Sequence, residues 1–258
     1  MVADELRRDR PVPGVLRLTL DRPHAHNALS IALQRQVDTA LTEAATDDSI
    51  RAVIVSGAGG RAFCAGYDLK ELDAMTPQAL AQSTAEREDM LWRYLRYPKP
   101  TVAAVDGLAY AAGTMYAACS DLRVGGPRTT MAVSAARYGG VNLSWLLDTL
   151  IGGARTRDLL MTARAVAGDE AYEMGLLTRY TPDVAGEAVR IAQQIAAQPP
   201  DGLRHIKQLL LDGPGQGLRE RYERENSVVR ATLGQRSITD MFSAFFGHEP
   251  APAPGGAS

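Results

Sequence analysis

Two stretches of this chain combine residue types and spacing that suit the stabilisation of negative charge. In the first, residues 101–105 (TVAAV) are a short apolar, β-branched run of the kind that forms a buried strand. Residues 107–113 are a loop of small residues, and residues 114–119 read as the first turns of a buried helix. The second stretch repeats the plan: a buried strand at 51–56 (RAVIVS), a glycine-rich turn at 57–60, and FCAGYD at 63–68 leading into a helical pattern from Leu69. A strand, a loop of small residues and a helix start leave backbone N–H groups at the positive end of a helix dipole. Fixed donors of this kind hold an anion, or an oxyanion as it develops, without reorganising. Two such loops on neighbouring strands are placed to converge on one point. Each contributes one backbone donor, at Tyr67 and at Ala112.

The elements that must position these loops are legible in the same way. Residues 14–20 (GVLRLTL) alternate as a half-buried strand does, and a polar loop at 24–27 follows Asp21-Arg22-Pro23. Ser30 is an N-cap for a helix in which Leu33, Val37, Leu41 and Ala45 share one face. A charged helical pattern at 76–96 ends at Pro98 and Pro100, immediately before the first stretch. Short strands are predicted at 122–124 and 129–133, with the turn 125–127 between them; residues 134–145 carry no clear pattern. Helices follow, with Leu146, Leu150 and Ile151 on one face, then Leu159, Leu160 and Ala163, and a short one at 169–174 stopped by Gly175. Beyond Asp183 the chain reads as helical nearly to Phe246, broken at Pro199-Pro200 and at 213–215, and a Pro/Ala/Gly tail at 247–258 is predicted to be disordered. Strands and helices alternate over two thirds of the chain and helices fill the rest. The expected class is α/β, with no linker dividing it.

The totals exclude several functions. A formal net charge of −2 over 258 residues leaves no basic footprint for nucleic acid. Two cysteines, Cys64 and Cys119, make neither a disulfide framework nor a zinc site. His24 and His26 share one loop without further ligands, so no metal is expected. The first ten residues lack the apolar centre of a signal peptide, and no uncharged apolar run reaches the length of a membrane span. A cytoplasmic protein is expected.

Taken together, the motifs resemble the crotonase (enoyl-CoA hydratase/isomerase) superfamily from residue 14 to about Phe246. They are Asp21-Arg22-Pro23 with Asn27-Ala28-Leu29, the RAVIV run at 51–55, AFCAGYDLK at 62–70, Lys99-Pro100-Thr101, AVDG at 104–107, Cys119-Ser120-Asp121, AGDEA at 167–171 and Met174-Gly175-Leu176. The resemblance implies a spiral of ββα units over 1–195 and a helical region over 196–246 that helps form homotrimers, often paired into hexamers. It also implies acyl-CoA thioester substrates, with CoA entering as part of the substrate and no separate cofactor. The thioester oxygen is expected between the N–H groups of Tyr67 and Ala112. The family's Gly-Gly-Gly run reads Ala111-Ala112-Gly113 here, so a positive φ at Ala112 would strain the backbone. By the same resemblance His24, Ala25, Ala65, Gly66, Asp68, Gly113, Met115, Ala135 and Tyr138 line the substrate. Arg22 and Lys70 are candidates for the 3′-phosphate of CoA. The basic-Pro-Phe ending usual in the family is missing.

One departure decides the chemistry. Hydration of an enoyl thioester needs a base for water and an acid for the α-carbon, and the family uses two glutamates. The matching positions here are Met115 and the pair Ser134-Ala135, and an aspartate used by other members matches Leu143. Methionine, alanine and leucine exchange no proton, so hydration by the usual mechanism is not expected. Decarboxylation to an enolate needs mainly the oxyanion hole and an oriented carboxylate, and Tyr67 with Asn142 is a candidate pair to orient one. Each has a plainer use, Tyr67 as a rim residue over the thioester and Asn142 as a turn residue. Arg137 and Tyr138 divide in the same way between a substrate carboxylate and surface packing. Glu86, Glu88 and Asp89 read as a solvated helix face. Two functions remain open: an acyl-CoA enzyme that decarboxylates, isomerises or performs a specialised biosynthetic step, and a catalytically silent acyl-CoA binder.

Overall fold

The computed structural model describes residues 4–212, 217–233 and 239. Its strands are β1 (Leu6–Asp9), β2 (Val15–Leu20), β3 (Ala52–Gly57), β4 (Ala62–Cys64), β5 (Thr101–Val105), β6 (Leu108–Tyr110), β7 (Leu122–Gly125), β8 (Thr130–Ala132), β9 (Ala165–Ala167) and β10 (Arg179–Tyr180). The helices are α1 (Ile31–Thr46), α2 (Leu69–Asp73), α3 (Pro77–Leu95), α4 (Ala112–Cys119), α5 (Leu147–Ile151), α6 (Gly153–Thr162), α7 (Gly168–Glu173), α8 (Val184–Ala196), α9 (Pro200–Asp212) and α10 (Leu218–Leu233). Short 3-10 turns occupy Pro23–Ala25 and Ala135–Tyr138.

Three successive strand pairs build two sheets in step. β3, β5 and β7 enter a six-stranded sheet of order β1-β2-β3-β5-β7-β10, while β4, β6 and β8 enter a four-stranded sheet of order β4-β6-β8-β9. Within each sheet these strands run parallel, so every pair advances the chain by one position and produces the expected ββα spiral. Alternation along β2, β3 and β5 explains the packing. Leu16, Leu18, Val53, Val55, Ala103 and Val105 face the main core between the sheets. Val15, Ala52, Ile54, Val102 and Ala104 face α8 on the other side, through Val184, Ala188, Ile191 and Ala192.

Polar side chains mark where helices begin. Ser30 accepts from Leu33 N–H (2.9 Å) to start α1, Thr76 from Ala79 N–H (3.2 Å) to start α3, and Asp68 from Lys70 and Glu71 N–H to start α2. α4 differs. Its N-cap is Ala111, which has no side chain to offer, and all eight residues of the helix are buried. β1 escapes the sequence pattern because only Leu6 of its four residues is buried; it is held by antiparallel pairing with β2. The helical region expected over 196–246 is described through α9 and α10, while Phe246 and the tail from 247 lie outside the described residues. Among the described residues no helix is long and apolar enough to cross a membrane.

Candidate active site

The two donor loops touch. A Cβ added at Gly66 would lie 3.2 Å from Ala111 Cβ and Tyr110 O and 3.6 Å from the Ala112 amide nitrogen. One added at Gly113 would penetrate the Cys64 carbonyl oxygen, so the start of α4 crosses directly over β4 and only glycine fits. The loop ahead of α4 is pinned from below, where Ala111 N–H donates to Ala132 O (3.0 Å) and the Thr114 hydroxyl donates to Ala109 O (2.6 Å) and Ala132 O (2.9 Å). On the other side, Leu29 forms a parallel bridge around Tyr67, with Leu29 N–H donating to Gly66 O and Asp68 N–H to Leu29 O. In such a bridge the central residue's own N–H points away from its partner. Among the described residues neither Tyr67 N–H nor Ala112 N–H donates to a protein acceptor. Two unused donors on adjoining rigid segments are what an oxyanion requires.

The strain expected at Ala112 falls one residue earlier. Ala111 takes φ 46° and ψ −115°, whereas Ala112 is already the first helical residue. The chain must reverse before α4 can begin, and the reversal is made by the residue before the helix.

Behind Tyr67 lies a buried ionic network. Arg87 of α3 stacks its guanidinium over the Tyr67 ring, 4.7 Å from the centroid. It also donates to Glu71 Oε2 (2.7 Å), Leu29 O (3.2 Å), the Ser83 hydroxyl (3.0 Å) and Gln34 Oε1. Gln34 in turn donates to the Tyr116 hydroxyl at 3.0 Å. The Tyr67 hydroxyl has no hydrogen-bond partner among the described residues, and burial pushes it up to about 12 against the opposing pull of Arg87. It is a phenol, not a phenolate, throughout the physiological range.

The remaining predicted residues scatter around this centre. Ala65 N–H donates to His26 O (3.0 Å), which ties the loop of His24 and Ala25 to the first donor segment; the His24 side chain is exposed. Asp68 caps α2 and pairs with Arg22 at 2.9 Å. Arg22 is thereby committed to Asp68, Glu5 and Ala28 O and is not free for a phosphate, whereas the Lys70 side chain is exposed. Met115 is buried in α4. Ala135 and Tyr138 sit in the 3-10 turn after β8, and Arg137 donates to Ala163 O at 2.9 Å. Asn142 is half-buried, and its amide makes no hydrogen bond among the described residues.

Two largely buried acids were not predicted from sequence. Glu225 of α10 is buried and accepts from Leu143 N–H (2.8 Å), Ser144 N–H (2.6 Å) and the Ser144 hydroxyl, holding the loop in which Leu143 takes φ 61°. Burial pushes its carboxyl up, against these three donors. Glu88 of α3 was expected on a solvated face, but only 15% of its side chain is exposed. It pairs with Arg230 of α10, and burial raises its carboxyl as well. The reason is α10 itself, which lies against α3 with Tyr222 stacked on Trp92 (5.1 Å) and edge-on to Trp145 (4.8 Å). Of the other two acids in that run, Glu86 pairs with Arg35 on the surface and Asp89 is exposed.

The sequence matches the family model for enoyl-CoA hydratase/isomerase over residues 12–251. It is 29% identical to a 1,2-epoxyphenylacetyl-CoA isomerase of Escherichia coli, over 90% of this chain and 92% of that protein. It is 30% identical to a 4-chlorobenzoyl coenzyme A dehalogenase of an Arthrobacter species, over 90% and 87%. The fold is similar to the crystal structure of an enoyl-CoA hydratase/isomerase from Xanthobacter autotrophicus Py2, with a TM-score of 0.86, 27% identity and coverage of 94% and 93%. With the spiral of paired sheets and the adjoining donor loops, these likenesses place the chain in the enoyl-CoA hydratase/isomerase family.

Proposed function

We propose that the protein is an acyl-CoA enzyme that stabilises a thioester enolate between Tyr67 N–H and Ala112 N–H and does not catalyse ordinary enoyl-CoA hydration. The observation that carries this reading is the pair of adjoining backbone donors without protein acceptors. Met115 and Leu143, at positions where the family keeps acids, are buried among apolar groups and leave no pair to activate water. Decarboxylation and double-bond isomerisation both pass through the same enolate and suit such a site. Tyr67 offers an unpaired phenol beside the first donor, and Asn142 an unpaired amide, as hydrogen-bond partners for a substrate carboxylate. The assembly is a homotrimer or a pair of trimers, supported by an exposed apolar face on α9.

Incubation with methylmalonyl-CoA, malonyl-CoA and crotonyl-CoA tests the reading. Loss of CO2 or a moved double bond is expected, with the rate lowered about tenfold or more in Tyr67→Phe. Rapid hydration of crotonyl-CoA would refute it. Binding of all three thioesters without turnover would favour the catalytically silent acyl-CoA binder, which the apolar Met115 and Leu143 also fit.

A further inference from the structure

An enolate between Tyr67 and Ala112 still needs a group that exchanges its proton, and Met115, Ala135 and Leu143 do not. Glu88 is a carboxylate whose charge reaches the site. It follows Arg87 in α3, and Arg87 covers the Tyr67 ring. The Glu88 backbone carbonyl accepts from the Tyr222 hydroxyl, and one carboxylate oxygen pairs with Arg230, both on α10. The other oxygen, Oε1, is buried and has no hydrogen-bond partner. A buried oxygen left unsatisfied is costly, and a native structure that keeps one calls for an explanation such as a reaction or a bound group. Glu88 thus sits where α3 carries Arg87 against the Tyr67 ring and α10 brings Tyr222 and Arg230 onto α3.

We infer that Glu88 is the proton-transfer residue of this site, acting on the α-carbon of the bound thioester. The inference rests on the thioester reading above. In the protonating direction the Glu88 O–H bond breaks, the enolate electron pair forms the new α C–H bond, and the thioester carbonyl is restored. The carboxylate left behind is held by Arg230 and recovers its proton from solvent. In the reverse direction the carboxylate removes the α-proton and the two backbone donors take up the charge. No metal or redox partner enters the balance. Burial and the neighbouring Asp89 raise the carboxyl while Arg230 lowers it, with burial the largest, which brings it nearer to neutrality and suits a group that must both give and take a proton. Arg230 from α10 and Asp89 on its own helix act on its charge, and that charge in turn raises the Tyr67 and Tyr222 phenols.

The test is α-proton exchange in D2O with the full-length protein and phenylacetyl-CoA, whose benzylic α-protons are acidic, followed by mass spectrometry. Binding is followed in parallel by the fluorescence of Trp92 and Trp145. The wild type is expected to exchange at a rate that rises with pH as Glu88 ionises. Glu88→Gln should bind equally well, exchange about 100-fold more slowly and lose that pH dependence, and Glu88→Asp should recover part of the rate. Undiminished exchange in Glu88→Gln overturns the inference and leaves the thioester reading standing. Binding without exchange in the wild type overturns the inference in favour of a silent binder, and absence of binding overturns both.

Discussion

Ala111 holds a backbone conformation, φ 46° and ψ −115°, that glycine adopts freely and alanine does not. A non-glycine residue there costs on the order of 1–3 kcal/mol, and the surrounding hydrogen bonds from Ala111 and Thr114 to Ala132 and Ala109 hold it in place. Ala111→Gly removes the Cβ while leaving both donors where they are. It is expected to stabilise the fold by about 1 kcal/mol, a gain limited by the extra freedom of glycine in the unfolded chain. Urea denaturation measures this, and a lower midpoint in the variant would show that the strain is not real. The two donors themselves were readable from strand, small-residue loop and helix start, because backbone chemistry needs no particular side chain. The exact strained position was not, since it depends on which residue makes the reversal before α4. Glu88 was illegible for another reason. The acids Glu86, Glu88 and Asp89 read as a solvated face, and only a helix about 130 residues further along the chain buries one of them, Glu88.

At the scale of elements, α10 closes over α3 and the loop at 143–144. It is fastened to α3 by Tyr222 and Arg230, and to the loop after the 3-10 turn by Glu225 and by Arg221, which pairs with Asp148 at 2.7 Å. The Glu225 bonds satisfy Leu143 and Ser144 N–H in a segment with few alternatives, because Leu143 is fully buried at positive φ. Glu225→Ala orphans those donors and is expected to cost about 2 kcal/mol. The cost should depend on pH in a definite sense. Burial raises the folded-state pKa of Glu225, so its contribution is complete below the unfolded value and declines as pH rises through the folded one. The gap between wild type and variant is therefore largest below the ordinary glutamate value of about 4.3 and narrows as pH rises above it. Denaturant unfolding monitored by Trp145, the residue after Ser144, reads it directly; a gap that widens with pH would reverse the assignment. Helix α10 was expected from its pattern, as were β2, β3, β5, β7 and β8, but the short strands β1, β4, β6, β9 and β10 and the docking partners of α10 were not. Local periodicity specifies that a helix forms and which face is apolar, and says nothing of contacts between residues 88 and 230.

For the whole molecule, α9 raises a problem that one chain does not solve. The helix buries its charged residue and exposes its aliphatic ones. Lys207 is 7% exposed, with its ammonium on Asp121 Oδ2 at 2.8 Å, while Ile206, Leu209 and Leu210 are 56%, 72% and 69% exposed. The buried pair is anchored further, since Asp121 Oδ2 also accepts from Thr101 N–H at 2.7 Å at the start of β5. The orientation of α9 is thus set by a buried ion pair, whose loss would cost several kcal/mol, and the leucines cannot turn inward without breaking it. Covering a Leu or Ile side chain is worth about 1.5–3 kcal/mol each. Three such residues per protomer, repeated around a closed ring, supply a substantial drive for association, and symmetric closure prevents open-ended growth. The proposed trimer therefore predicts that the 27.7 kDa chain sediments at three or six times its monomer mass. Leu209→Glu combined with Leu210→Glu should reduce the sedimenting mass to that of one chain, because two charges would have to be buried at every interface. The circular dichroism of the double variant should stay that of the wild type, since Lys207 and Asp121 still hold α9. A wild type that sediments as a monomer, or a double variant that keeps the wild-type mass, would remove α9 from the interface. In either case the exposed Ile206, Leu209 and Leu210 would need another cover.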